Sequence, residues 1–221
     1  MKRLLLTGPA VLSLLFLATG STLASTINFS SFSQPGNNFN NLGTSVTQSG
    51  FTFSSASGPF GDGGLGVWQD SSSNHPPGGS ASTSLLEFTG LTTTTMTASG
   101  NGAFDLNSIE LAEWGASQGG GVGSFSVTFT GTRADNSTVS QSFTVLNNVG
   151  SPQLQNFNFS GFSNVVKVQF TQGIFSSGTA YQFDDIGVNG SNSPVPEPSS
   201  FLMLGTALIS GIGAMRRKFP K

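Results

Sequence analysis

The strongest constraint on this chain is an alternation of apolar and hydroxyl side chains with a period of two. Phe125, Val127 and Phe129 alternate with Ser and Thr, as do Val139, Phe143 and Val145 with their neighbours. Val166, Val168 and Phe170 repeat the pattern, and Phe157 with Phe159 and Phe51 with Phe53 do so over a shorter reach. Successive side chains of a strand point to opposite faces, so each such segment buries one face and wets the other. About ten segments of this kind run from Thr26 to Val188, and none shows sustained helical periodicity. Residues 58–66, 71–80 and 117–123 read as loops, and residues 131–136 as a hairpin connection. The pattern predicts an all-β fold: an antiparallel two-sheet, jelly-roll-like sandwich.

Composition separates this reading from disorder and from a membrane bundle. Only 8% of residues are charged, against about 25% in an average soluble protein. The polar fraction is Ser, Thr, Asn and Gly, which suits strands and turns. The 20 Phe residues supply the apolar area of a core. There is no cysteine, which excludes thiol catalysis, disulfides and zinc–thiolate sites. Between residues 25 and 190 only Arg133 and Lys167 are basic, against nine Asp and Glu. An acidic surface repels phosphate backbones, so nucleic acid is not an expected partner.

The other basic residues lie at the two ends, beside apolar runs. Lys2 and Arg3 precede a mostly apolar stretch over residues 4–18, followed by Thr22-Leu23-Ala24. Basic, apolar and small residues in that order form a secretory signal read by the secretion translocon, with cleavage expected after Ala24. At the other end Val195-Pro196-Glu197-Pro198 leads into an apolar run over 201–215 that stops at Arg216-Arg217-Lys218. The prolines hold the motif extended, the run can enter the bilayer as a transmembrane helix, and the basic cluster keeps its end cytoplasmic. The expected organisation is a signal peptide (1–24), a β-sandwich domain (25–190), a linker (191–194) and a sorting tail (195–221).

Motif, apolar run and basic cluster together resemble the PEP-CTERM sorting signal of Gram-negative bacteria. The resemblance implies recognition by exosortase, a membrane-embedded transpeptidase-like enzyme, with processing near Pro196-Glu197-Pro198. It also implies transient membrane anchoring, then a cell-surface or extracellular location associated with exopolysaccharide and biofilm. More loosely, residues 104–188 are similar to the β-sandwich domains that precede such tails, which end in a strand like Phe183-Asp184-Asp185-Ile186 and resemble carbohydrate-binding modules.

No catalytic constellation is complete, so a non-enzymatic protein is expected. Residues 115–119 match G-x-S-x-G, but no helix follows and the single histidine, His75, lies upstream in a loop. Residues 61–66 match G-x-G-x-x-G without the helix that gives the motif its phosphate site. Glu110 and Glu113 differ by three positions, which puts them on opposite faces of a regular strand, with one or both solvated. Phe183 and Ile186 also differ by three, and a β-bulge between them would bury both and redirect Asp184 and Asp185. Those carboxylates are oxygen ligands of the kind calcium takes. By likeness to carbohydrate-module sandwiches, where calcium tethers the first and last strands, Asn28 is a third ligand; the other reading is a solvated acidic edge. Trp68, Trp114 and Tyr181 are the aromatics with polar edges that can stack on sugar rings, or else belong to the core.

Overall fold

The computed structural model describes residues 24–56, 64–76, 83–87, 93–113, 124–146, 152–172 and 181–189. Thirteen strands and two short 3-10 turns make up these segments. The strands are β1 (Ala24–Ile27), β2 (Phe39–Gly43), β3 (Ser45–Gln48), β4 (Phe51–Ser55), β5 (Leu65–Trp68), β6 (Leu85–Glu87) and β7 (Thr93–Ala98). They continue as β8 (Asp105–Glu113), β9 (Ser124–Arg133), β10 (Thr138–Leu146), β11 (Gln155–Asn158), β12 (Val165–Gln172) and β13 (Tyr181–Asn189).

All pairings are antiparallel, in two sheets. One runs β11-β8-β13-β6-β5-β2 with β1 also on β13, and the other β10-β9-β12-β7-β4-β3. Most connections pass from one sheet to the other, so bonded neighbours come from distant parts of the chain. Alternation then sends one set of side chains inward. Phe53, Val168, Phe170, Phe129 and Val127 of one sheet meet Phe183, Ile186, Ile109 and Leu111 of the other, all at most 1% exposed. Rings join the sheets edge to face, with Phe170 and Phe183 centroids 5.1 Å apart and Phe29 and Phe53 5.2 Å apart.

Two loop boundaries differ from expectation. Residues 65 and 66 belong to β5 rather than to the preceding loop. Gly66 has the ring of Phe39 lying over it, where a Cβ would collide. The last glycine of the G-x-G-x-x-G match thus serves sheet packing. Gly131–Arg133 likewise lie within β9, and the reversal is confined to residues 134–137. Asn136 takes φ +65° there, and its N–H donates to the Arg133 carbonyl at 2.9 Å.

The two ends of the sandwich differ. β1 starts and β13 stops at one end, with Ala24 opposite Asn189. The tight connections β3–β4, β7–β8, β9–β10 and β11–β12 are also there, with Ser49, Asn101, Asn136 and Asn164 at positive φ. β2, β4, β6, β8, β10 and β12 all end at the opposite end, where the strand that follows each of them starts. At the open side β10 and β11 are held together by amides: Gln155 accepts the Leu146 N–H at 3.0 Å and donates to the Leu146 carbonyl at 2.9 Å.

Candidate functional site

The expected bulge is present. Asp184 pairs with Glu110 and Gly187 with Ser108, so Asp185 and Ile186 together face the single residue Ile109. Phe183 and Ile186 are both fully buried, and Asp185 takes φ +41° to allow it. The bulge has a second cause. One edge of β13 pairs with β6 through residues 181–183 and with β1 through residues 186–189, leaving Asp184 and Asp185 at the junction.

Asp184 is fully buried there, and its Oδ1 accepts the Phe29 N–H at 3.3 Å. That donor lies two residues past Ile27, the last paired residue of β1, so the carboxylate satisfies a buried N–H just beyond the end of the strand. Asn28 lies beside it, half-buried, with its Oδ1 accepting the Ser30 hydroxyl at 2.7 Å. Asp185 is half-buried, and Glu110 has its carboxyl pushed up, first by burial and then by the Asp185 charge. Among the described residues no group of three or more His, Cys, Asp and Glu is close enough to hold a metal ion.

A second polar cluster, which the sequence did not reveal, lies inside the sandwich at the end away from the termini. Glu87, Tyr181 and Glu113 form one row across β6, β13 and β8. Glu87 is fully buried; it accepts the Ser55 hydroxyl at 2.7 Å and the Thr94 hydroxyl at 2.6 Å, both from the facing sheet. Tyr181 extends the chain, with its hydroxyl 3.0 Å from that of Thr94 and 3.3 Å from the Phe170 carbonyl. Burial, then the Glu87 charge, hold the Tyr181 phenol well above its usual range, partly offset by the Thr94 hydrogen bond. Gln172, 2% exposed, adds an amide at the same end whose nitrogen and oxygen both lack a hydrogen-bond partner among the described residues.

The aromatic candidates separate. Tyr181 is fully buried between Phe170 and Phe183, which removes it as a sugar platform; it is a core residue with a hydrogen-bonded hydroxyl. Trp68 is half-buried, with its ring against Phe39 of β2 at 5.3 Å. Trp114 lies outside the described residues. Glu113 is 5% exposed and Glu110 half-buried, so neither is fully solvated and the three-residue offset does separate them. His75 sits in a surface turn, its N–H donating to the Ser72 carbonyl.

The fold defines a β-sandwich domain whose two ends leave together. Residues 194–218 match the PEP-CTERM protein-sorting motif. The chain therefore carries the sorting signal of an exosortase-processed surface protein. That segment includes Val195, Pro196, Glu197, Pro198, Arg216, Arg217 and Lys218, all outside the described residues, as is the expected signal peptide. No helix among the described residues is long and apolar enough to cross a membrane. No curated protein matches the chain. Among solved structures the sandwich is similar to a DUF4465 family protein from Bacteroides ovatus, at 9% identity and TM-score 0.50, covering 76% of this chain and 99% of that one. It is also similar to the K2 cleaved adhesin domain of Lys-gingipain, at 12% identity and TM-score 0.49, covering 76% and 98%. A family 29 carbohydrate binding module follows at 7% identity and TM-score 0.38, covering 74% and 96%. The first likeness is one of fold.

Proposed function

We propose that this is a non-enzymatic surface or matrix protein, exported through the translocon, held transiently in the inner membrane by its tail, and released to the cell surface near Pro196-Glu197-Pro198. The observation that carries this reading is the sorting motif at 194–218. The sandwich suits such display. Ala24 and Asn189 are paired neighbours, so the chain leaves for the tail at the end of the sandwich that carries the tight turns. Association with exopolysaccharide and biofilm belongs to the same proposal. Comparing the tagged protein in cells with and without exosortase tests it: processed protein at the surface is expected only when the enzyme is present.

A second reading is glycan binding by the sandwich, favoured by the half-buried Trp68–Phe39 pair on the outward side of its sheet. A glycan array with Trp68→Ala as control tests this; binding that the variant leaves untouched counts against Trp68. A structural calcium ion at Asp184, Asp185 and Asn28 completes the proposal. Binding to the native state at a hundredfold excess over Kd adds about 2.7 kcal/mol. Equal melting temperatures in calcium and in chelator exclude it.

A further inference from the structure

The outward face of the β10-β9-β12-β7-β4-β3 sheet carries hydroxyl side chains, with one amide on β12, in register from edge to edge. One row crosses all six strands: Ser45, Ser54, Thr95, Gln169, Thr130 and Ser140. Its phase is fixed by the core, because the alternate positions Phe53, Met96, Val168 and Phe129 are at most 1% exposed. Parallel rows lie on either side, and hydroxyls meet across strands at 3.2 Å (Thr47 with Thr52), 2.9 Å (Thr93 with Thr171) and 2.8 Å (Thr128 with Ser142). Strands lie about 4.8 Å apart, so a six-strand row presents hydrogen-bonding groups over about 24 Å.

The charge on this face is unlike that of the rest of the domain. Among the described residues no carboxylate occupies an outward position of these six strands. Glu110 and Asp185 belong to the other sheet, and Asp135 stands in the β9–β10 turn. The cation on the face is Lys167, half-buried and opposite Thr132, placed outward by the bulge between Val165 and Lys167. An otherwise acidic domain thus keeps one broad face free of negative charge, with a lysine in its field of hydroxyls.

We propose that this face docks an extended polysaccharide bearing carboxylates. Sugar hydroxyls exchange hydrogen bonds with a Ser/Thr row, and a uronate carboxylate pairs with Lys167. Charge complementarity selects this occupant, since a polyanion is repelled by the acidic remainder and accepted here. Without an aromatic platform, contact rests on many weak polar bonds and one ion pair, so it is salt-sensitive. The proposal rests on the surface reading above only for the encounter with such a polymer.

Native electrophoresis of the full chain through gels containing polygalacturonate, with dextran as the neutral control, tests it. Retardation by polygalacturonate and not by dextran is expected. Lys167→Gln weakens it about threefold, the worth of one exposed charge pair. Thr130→Glu, which places a carboxylate in the row, removes it. No retardation, equal retardation by dextran, or indifference to both Lys167→Gln and Thr130→Glu overturns the proposal. Exosortase-dependent processing is unaffected by any of these results, so the sorting reading stands or falls separately.

Discussion

The carboxylate of Asp184 accepts the backbone N–H of Phe29 at 3.3 Å, joining the last strand of the sandwich to the point where the first strand leaves it. Asp184 is fully buried, so removing its acceptor strands a backbone donor away from water. Asp184→Ala is expected to cost about 2 kcal/mol in denaturant unfolding, and Asp184→Asn, which keeps an acceptor, less than half of that. Equal loss in both variants contradicts this role.

Tyr181 is the only tyrosine of the chain, so its phenol can be followed by absorbance alone. Its pKa is raised in the fold by burial and by Glu87. The native state therefore holds a proton that the unfolded state releases near about 10. The resulting stability is fully present below that pH and is lost as pH rises toward the folded value. Phenolate absorbance should rise together with unfolding, and Tyr181→Phe should flatten the alkaline decline. A native phenolate titrating near its usual range contradicts the network.

Glu110 is raised in the same sense, by burial and by the neighbouring Asp185 charge. Its favourable contribution belongs to pH values below the unfolded carboxyl range and is gone at neutral pH. In chelator at pH 7, Glu110→Gln should stabilise by about 0.3 kcal/mol, a small value because the group is only half-buried and solvent screens its repulsion from Asp185. The gain should vanish near pH 4. A destabilised variant at pH 7 contradicts the assignment.

Gln155 shields the edge of β10 by bonding both the N–H and the carbonyl of Leu146, itself 59% exposed. Gln155→Ala removes both bonds, at a cost of about 1–2 kcal/mol, and uncovers strand edge next to an exposed leucine. Sedimentation should show more self-association than in the parent; an unchanged monomer fraction contradicts the shielding.

Much of the fold is written in local alternation. Phe125, Val127 and Phe129 declare a strand without reference to anything distant, and the three-residue step from Phe183 to Ile186 declares the bulge. Tyr181 was legible too, since it stands two positions before Phe183 and shares its buried face. Chemistry suggested a sugar platform, but strand phase decides. Glu113 stands in the same relation to Leu111. Glu87 was not legible, because Leu85 and Leu86 are both apolar and leave its phase open. Its partners Ser55 and Thr94 come from the other sheet, and only the sandwich brings them within reach. The hydroxyl rows were equally hidden, since each is a property of six strands in register.

In the proposed sorting, a local motif in the tail decides the fate of the whole chain. Replacing both Pro196 and Pro198 by Ala frees the backbone at the motif, and Ala, the best helix former, lets helix extend back through the recognised segment. The measurement is fractionation of the full chain and of this double variant in cells that contain exosortase. The variant is expected to be exported but unprocessed and to accumulate in the inner membrane, while the parent reaches the surface in shortened form. Normal processing and release of the double variant would contradict the account and leave the tail an ordinary anchor.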